Sequence, residues 1–356
     1  MSEERLIEGI NKLLMAIERP VRIMEVCGTH TVAIFRHGIR GLFPGLQFLS
    51  GPGCPVCVTS MPDVDRAILM SRLPGVTLAT FGDMMRVPGS LGTLYEAKAA
   101  GADVRVVYSV LDALELAING NKSVVFFATG FETTAPLAAA ALHEARRRNI
   151  GNFFVYSVHK LVPPALRALL LTPELQVDGF LLPGHVSTII GTSPYEFIAS
   201  ECKKPAVVGG FDAKDILEAA IMILSQLATG RADVEVQYRM AVREAGNPKA
   251  VSLLEEYFEP IDAYWRGIGL INGSGLGIKG DFSAFDALEA FPVAAPESSE
   301  PAGCSCGEVL KGLKIPAQCR LFGVRCTPEN PVGACMVSTE GSCAAYYKYG
   351  GGSGNG

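Results

Sequence analysis

No run in the sequence approaches the roughly 18 apolar residues that a membrane-spanning helix needs, which argues against a protein embedded in a bilayer. The opening segment, MSEERLIEGINKLLMAIERP, reads as a charged amphipathic helix and lacks the apolar stretch of a secretion signal, so a cytoplasmic protein is expected. Lys and Arg are scattered, and a net charge of -5 leaves no basic stripe to track a phosphate backbone, which argues against nucleic acid as a partner. Neither a P-loop nor a clear G-x-G-x-x-G is present, so nothing suggests a nucleotide-dependent reaction. No short-period repeat is visible.

Cysteine, by contrast, is plentiful, with ten in 356 residues. A reducing cytoplasm makes a framework of structural disulfides improbable, so the thiols call for another explanation. Cys27, Cys54 and Cys57 lie early and Cys202 stands alone, while Cys304, Cys306, Cys319, Cys326, Cys335 and Cys343 crowd the last 53 residues. Two separate thiol sites are implied. At 49% hydrophobic, the chain can bury the cores of two or three domains.

Short apolar, β-branched runs at 22–26, 46–50, 76–81, 104–108, 124–128, 153–158, 179–182 and 206–208 alternate with helix-like stretches, the pattern of βαβ units and parallel sheets. Split into two groups of four near 111–121, they predict two α/β lobes of similar architecture, with a single larger sheet as the alternative. From 233 to 265 the pattern turns helical, broken by Gly246-Asn247-Pro248. Residues 294–303 (AAPESSEPAG) have a linker's composition and precede the cysteine-rich module. The expected domains are therefore 1–115, 116–230 and a helical and cysteine-rich 231–349, followed by a flexible tail at 350–356.

Nearly every Gly, Cys and His follows a strand: CGTH, GPGCPVC, FGDMMRVPGS, ATGFETT, SVHK, PGHVS and GGFD. In open parallel sheets ligands bind beyond the carboxyl ends of strands, so these loops are expected to converge on a cleft. Cys27 lies three residues before His30, and a helix N-terminus there would depress its pKa and make it a nucleophile and soft metal ligand, simple packing being the bland alternative. Cys54 and Cys57 form a C-x-x-C in a Gly- and Pro-rich turn, which favours a redox dithiol over half of a zinc site. His185 and His159 are expected to line the cleft, and His143 to lie on a helix surface. Asp83 and Glu132 are strand-end carboxylates suited to orienting a histidine or handling protons, or else to capping helices.

Near the C-terminus, four thiolates suffice for a [4Fe–4S] cluster and six leave two over. Cys304, Cys319, Cys326 and Cys343 give C-x14-C-x6-C-x16-C, a spacing of neither a zinc ribbon nor a bacterial ferredoxin, so the choice of four stays open. A zinc ion on four cysteines is the rival, weakened by the lack of paired C-x2-C in this module. The remaining Cys306 and Cys335 either exchange electrons as a dithiol beside the cluster or pack as small hydrophobes.

In order along the chain, CGTH (27–30), FRHGIR (35–40), GPGCPVC (51–57), FGDM (81–84), GFETT (130–134), YSVHK (156–160), PGHVSTIIG (183–191) and the terminal module resemble the HypD family of hydrogenase maturation proteins over nearly the full chain. The resemblance implies a role in building the Fe(CN)2CO unit of [NiFe]-hydrogenase on a scaffold formed with the small chaperone HypC, with cyanide delivered through HypE. It implies that Cys27, with His30 beside it, shares the iron with a HypC cysteine. It further implies two similar α/β lobes and a third domain, Cys304, Cys319, Cys326 and Cys343 as ligands of a [4Fe–4S] cluster, Cys306–Cys335 as its redox pair and Cys54–Cys57 as the dithiol near the iron. A monomer that forms transient heteromers is expected on the same ground. The rival classes are a cluster-dependent thiol–disulfide oxidoreductase without a second iron, and a scaffold that turns nothing over.

Overall fold

The computed structural model describes residues 2–350, so the expected tail beyond Gly350 lies outside the described residues. The strands are β1 (Val21–Glu25), β2 (Leu46–Ser50), β3 (Val76–Thr80), β4 (Val104–Val106), β5 (Ser123–Ala128), β6 (Phe153–Ser157), β7 (Gly179–Pro183), β8 (Ala206–Gly209), β9 (Val234–Val236), β10 (Phe258–Trp265) and β11 (Gly269–Ile278). They form a five-stranded parallel sheet in the order β2-β1-β7-β8-β9, a four-stranded parallel sheet in the order β4-β3-β5-β6, and the antiparallel pair β10-β11. Strands β3 and β7 are buried at every position, as expected where helices cover both faces of a parallel sheet.

The fold is α/β with two parallel-sheet lobes, but the lobes are not consecutive halves. The boundary expected at 115/116 falls between β4 and β5, inside the four-stranded sheet, and β1 pairs with β7 rather than with anything in 76–157. The chain leaves the first sheet after β2, builds the whole second sheet, and returns at β7. Hydrophobic periodicity locates strands but carries no information about which strand lies beside which. The helical stretch expected over 233–265 is also corrected: only Pro248–Tyr257 is helical there, capped by the Asn247 side chain, while β9 and β10 are strands. β9 carries β-branched valines and β10 adds aromatic residues, both of which suit a pleated surface.

Counted within each sheet, the second strand lies outside the first and the third lies on the first strand's other side. Crossovers from the first strand therefore diverge, and each sheet has a crevice at that point: between β1 and β7 in one, between β3 and β5 in the other. On the five-stranded sheet, helix α1 (Glu3–Ile17) packs through Leu6 and Ile10 against Ile216, Ala220, Ile223 and Leu224 of helix Ala213–Ala228. Each fully buried Leu or Ile side chain contributes about 1.5–3 kcal/mol. The cysteine-rich region is built into the body of the molecule, since Cys306, Cys326, Cys335 and Cys343 share one core with Met24, Val26, Leu49 and Phe180. No helix among the described residues is long and apolar enough to cross a membrane.

Candidate functional site around Cys27 and the paired thiols

Helix α2 (Gly28–Arg36) begins in the β1/β7 crevice, with Cys27 as its extended N-cap residue. The loop is pinned by its neighbour: Gly28 N–H donates to Gly53 O at 3.0 Å, and Gly51 N–H donates to Glu25 O at 2.8 Å. A Cβ on Gly53 would fall 2.3 Å from Cys27 N, so only glycine lets the two loops approach this closely. Beneath them the buried Glu25 carboxyl accepts from Thr31 Oγ1 at 2.5 Å and from Cys27 N–H at 3.4 Å. Burial pushes Glu25 up to about 8, against hydrogen bonds from Thr31, Ser50 and Cys27.

Cys27 is partly exposed, yet desolvation and the nearby Glu340 push its thiol up to about 11. The backbone N–H groups of His30 and Thr29 and the Thr29 hydroxyl act in the opposite direction and lose. The depressed pKa expected from the helix N-terminus is thus corrected: the thiol is neutral at pH 7, and binding a metal there releases a proton. Thr29 Oγ1 donates to Glu340 Oε1 at 2.8 Å, tying the first turn of α2 to the C-terminal region. A cleft of about 760 Å³ opens beside them, lined by Thr29, Val32, Arg86, Met336 and Glu340.

His30 is fully buried, and burial lowers its pKa to about 4. Its Nε2 lies 2.9 Å from Gly210 O, a carbonyl that only accepts, so Nε2 carries the proton. Nδ1 is left with a free lone pair and no partner among the described residues. Both His30 and the exposed His185 stack on Phe211, with ring centroids 4.8 and 4.0 Å away. The two histidines are thereby joined through a residue that sequence reading passed over.

Cys54 and Cys57 are disulfide-bonded, with Cα atoms 5.3 Å apart, and Cys54 caps the short helix Pro55–Val58. That helix packs on the turn Ala334–Met336, whose Cys335 is disulfide-bonded to Cys306 with Cα atoms 6.4 Å apart. All four half-cystines belong to one buried core. Next to the second pair, Cys304, Cys319, Cys326 and Cys343 line a small cavity together with Phe322, Gly333 and Met336. A Cβ on Gly333 would fall 2.7 Å from Cys304 Sγ, and Val332 N–H donates to Cys326 Sγ at 3.4 Å. Burial raises the Cys343 thiol well above its ordinary value, and Cys326, Cys304 and Cys319 raise it further. Four thiolates this close repel one another, and a cationic metal core offsets that repulsion. Among the described residues, no three His, Cys, Asp or Glu side chains are gathered tightly enough to hold a single ion.

Of the remaining candidates Glu132 adjoins this site, since its neighbours Phe131, Val162 and Tyr195 share a core with Val26 and Cys54, whereas Asp83 and His143 lie apart. Glu132 is buried, with Oε1 accepting from Val162 N–H at 2.9 Å and Oε2 unpartnered, and burial raises it to about 7. Its neighbour Tyr195 is buried with an unpartnered hydroxyl. Asp83 stands exposed at the start of the 3-10 helix Gly82–Arg86. His159 is buried, its Nδ1 3.1 Å from Ser157 Oγ, and His143 is exposed. Glu25, Glu340, Tyr195 and Phe211 were missed by sequence reasoning. Only Glu25 left a signal, as a carboxylate at the end of an otherwise apolar strand directly before CGTH.

A crevice thiol, two disulfide pairs and a four-thiol cavity, all on shared packing, define a cysteine-centred α/β protein. A family model called HypD, described as the hydrogenase formation hypA family, matches residues 2–350. The chain is 50% identical over 343 residues to the hydrogenase maturation factor HypD of Rhodobacter capsulatus, covering 94% of this chain and 90% of that protein. It is 46% identical over 349 residues to the Escherichia coli hydrogenase maturation factor HypD, covering 97% and 94%. A putative hydrogenase expression/formation protein of Methanocaldococcus jannaschii is 43% identical over 348 residues, covering 97% and 96%. The chain belongs to the HypD family.

Proposed function

We propose that this protein acts in hydrogenase maturation as the scaffold on which the Fe(CN)2CO unit is assembled, in a stable complex with HypC and with cyanide arriving from HypE. Cys27 holds the iron cargo as a thiolate, and a HypC cysteine supplies a second thiolate. His30 and His185 line the same crevice, the first with a free Nδ1 lone pair. Soft sulfur suits low-spin iron carrying strong-field ligands. Glu25 fixes the Cys27 loop by accepting from its N–H, and Glu340 holds α2 through Thr29.

Cys304, Cys319, Cys326 and Cys343 fit a [4Fe–4S] cluster. A cluster presents separate irons to separate thiolates, and these four line a cavity instead of meeting at one point, which favours it over zinc. When bound, the cluster supplies electrons one at a time. Two such electrons and two protons would reduce the Cys306–Cys335 disulfide to a dithiol, and thiol–disulfide exchange would pass that reduction to Cys54–Cys57, re-forming the first disulfide. The observation that carries the reading is the packing of the Cys54–Cys57 helix on the Cys335 turn at one end and of its loop on Cys27 at the other. The protein works in the cytoplasm and is a monomer until it meets its partners.

The test is infrared spectroscopy on the chain purified anaerobically with HypC, comparing wild type with Cys27→Ala. Cyanide and carbonyl bands present in the first and absent in the second are expected. If the wild-type complex carries a cluster but no such bands when every other maturation protein is supplied, the scaffold reading fails. The thiol–disulfide oxidoreductase, which the two disulfides also favour, then takes its place.

A further inference from the structure

A larger cavity, of about 920 Å³, opens between the first turn of helix Met61–Ser71, the end of β6 and the β10–β11 hairpin, and no cysteine lines it. Its floor is cationic. Lys160 lines it with a side chain only 3% exposed, and its ion-pair partner among the described residues is Asp63, 3.7 Å away and beyond hydrogen-bond distance. Asp63 is already shared, accepting from Ser60 Oγ at 2.7 Å, Tyr156 OH at 2.8 Å and Arg66 at 3.4 Å. One carboxylate thus serves two cations.

Arg266 adds a third cation, with a side chain 0% exposed. It donates through Nη2 to Pro88 O at 3.0 Å and through Nε to Glu300 Oε2 at 3.2 Å, and its Nη1 has no partner among the described residues. Glu300 belongs to the Pro- and Ser-rich run 294–303, which lies along the cavity with Glu297 and Ser298, the latter with its own hydroxyl unpartnered. Asp262, on the rim, is engaged by Gly273 N–H at 2.8 Å. Arg66, Lys160 and Arg266 outnumber Asp63 on the floor, but Asp262 on the rim and Glu297 and Glu300 of the strap bring the lining to four carboxylates against three cations, so the cations are in excess only once the strap's two acids move away. Ile261, Tyr264, Trp265 and Leu288 give the cavity an apolar wall.

A buried guanidinium with an unmet donor is costly, and a planar carboxylate meets two of its donors at once. We infer that this cavity binds a small organic carboxylate with an apolar body, and that Glu300 holds the carboxylate position on Arg266 when no ligand is present. Lys160 supplies the second cation, and the strap is displaced as the ligand enters. The site is separate from the thiol chemistry, although Arg266 N–H donates to Val58 O, at the end of the dithiol helix, at 2.9 Å.

The probe is phenylacetate, titrated into the full-length protein purified with its metal content and followed by saturation-transfer NMR, with neutral phenylacetamide as control. Saturable millimolar binding of the acid and none of the amide is expected. Glu300→Gln removes the competing carboxylate and tightens binding about threefold, and Lys160→Met weakens it about fivefold. Equal signals from acid and amide, no saturable binding in either wild type or Glu300→Gln, or the same affinity in wild type and Glu300→Gln overturns the assignment. Glu300 is exposed, so its substitution decides the matter even where Lys160→Met fails to fold.

Discussion

The two parallel sheets share a strand order and carry different chemistry at equivalent places. In the five-stranded sheet the crevice between β1 and β7 holds Cys27, His30, His185 and the buried Glu25. In the four-stranded sheet the crevice between β3 and β5 is followed by Asp83 and Glu132, and no cysteine occurs between Cys57 and Cys202. The same scaffold thus offers a soft ligand on one side and hard carboxylates on the other, because chemistry resides in the loops and not in the sheet.

The comparison breaks if the two crevices prove equally necessary to iron. Cys27→Ala is expected to abolish iron–cyanide–carbonyl bands and hydrogenase activation in a complemented strain. Asp83→Ala, at an exposed residue of the other crevice, should lower activation by about 10-fold at most, the scale of an outer-shell change. Equal losses would place the iron between the sheets.

A smaller effect sharpens the role of loop packing. Gly53→Ala forces its Cβ onto the Cys27 backbone and should cost at least about 3 kcal/mol, seen as a lowered Tm and loss of retained iron. Gly41→Ala meets nothing within 4 Å and should be neutral or stabilising by about 0.5–1 kcal/mol.

Glu132 gives a pH test at a buried acid whose neighbours Phe131, Val162 and Tyr195 share a core with Val26 and Cys54 of the first sheet's loops. Its folded pKa of about 7 exceeds the unfolded 4.5, so between those values the folded chain holds more protons. Its contribution to stability is complete below pH 4.5 and is lost as pH rises through 7. Glu132→Gln should remove that slope, so the variant gains on wild type by roughly 3 kcal/mol at pH 8 and by much less at pH 5. Tm measured at both pH values checks it, and a constant difference counts against the buried acid. Smallest is Thr29→Val, which unties Glu340 at about 1–2 kcal/mol and, on the proposed reading, should leave the visible absorption of the proposed cluster unchanged while weakening the proposed iron retention at Cys27.

Much of this site was legible because strand-end loops rich in Gly, Cys and His announce themselves without an alignment. Cys27, the Cys54–Cys57 turn and the six late cysteines were singled out by residue type and spacing, though not which of the six act together. What escaped was whatever depends on distant partners. Nothing in STEGSC signals that Glu340 meets Thr29, 311 residues away. Strand pairing escaped for the same reason, so two interleaved lobes read as two successive ones. The thiol pKa went the wrong way because capping amides are visible in sequence and desolvation is not.

The Thr29–Glu340 contact also sets a timetable. At roughly 5–20 residues per second, about 15–60 s of synthesis separate the two residues. Strand β1, which emerges early, waits for β7 before it gains its second neighbour. The Cys27 crevice is therefore finished only when nearly the whole chain has left the ribosome, and a nascent chain lacks the contact that fixes the first turn of its helix.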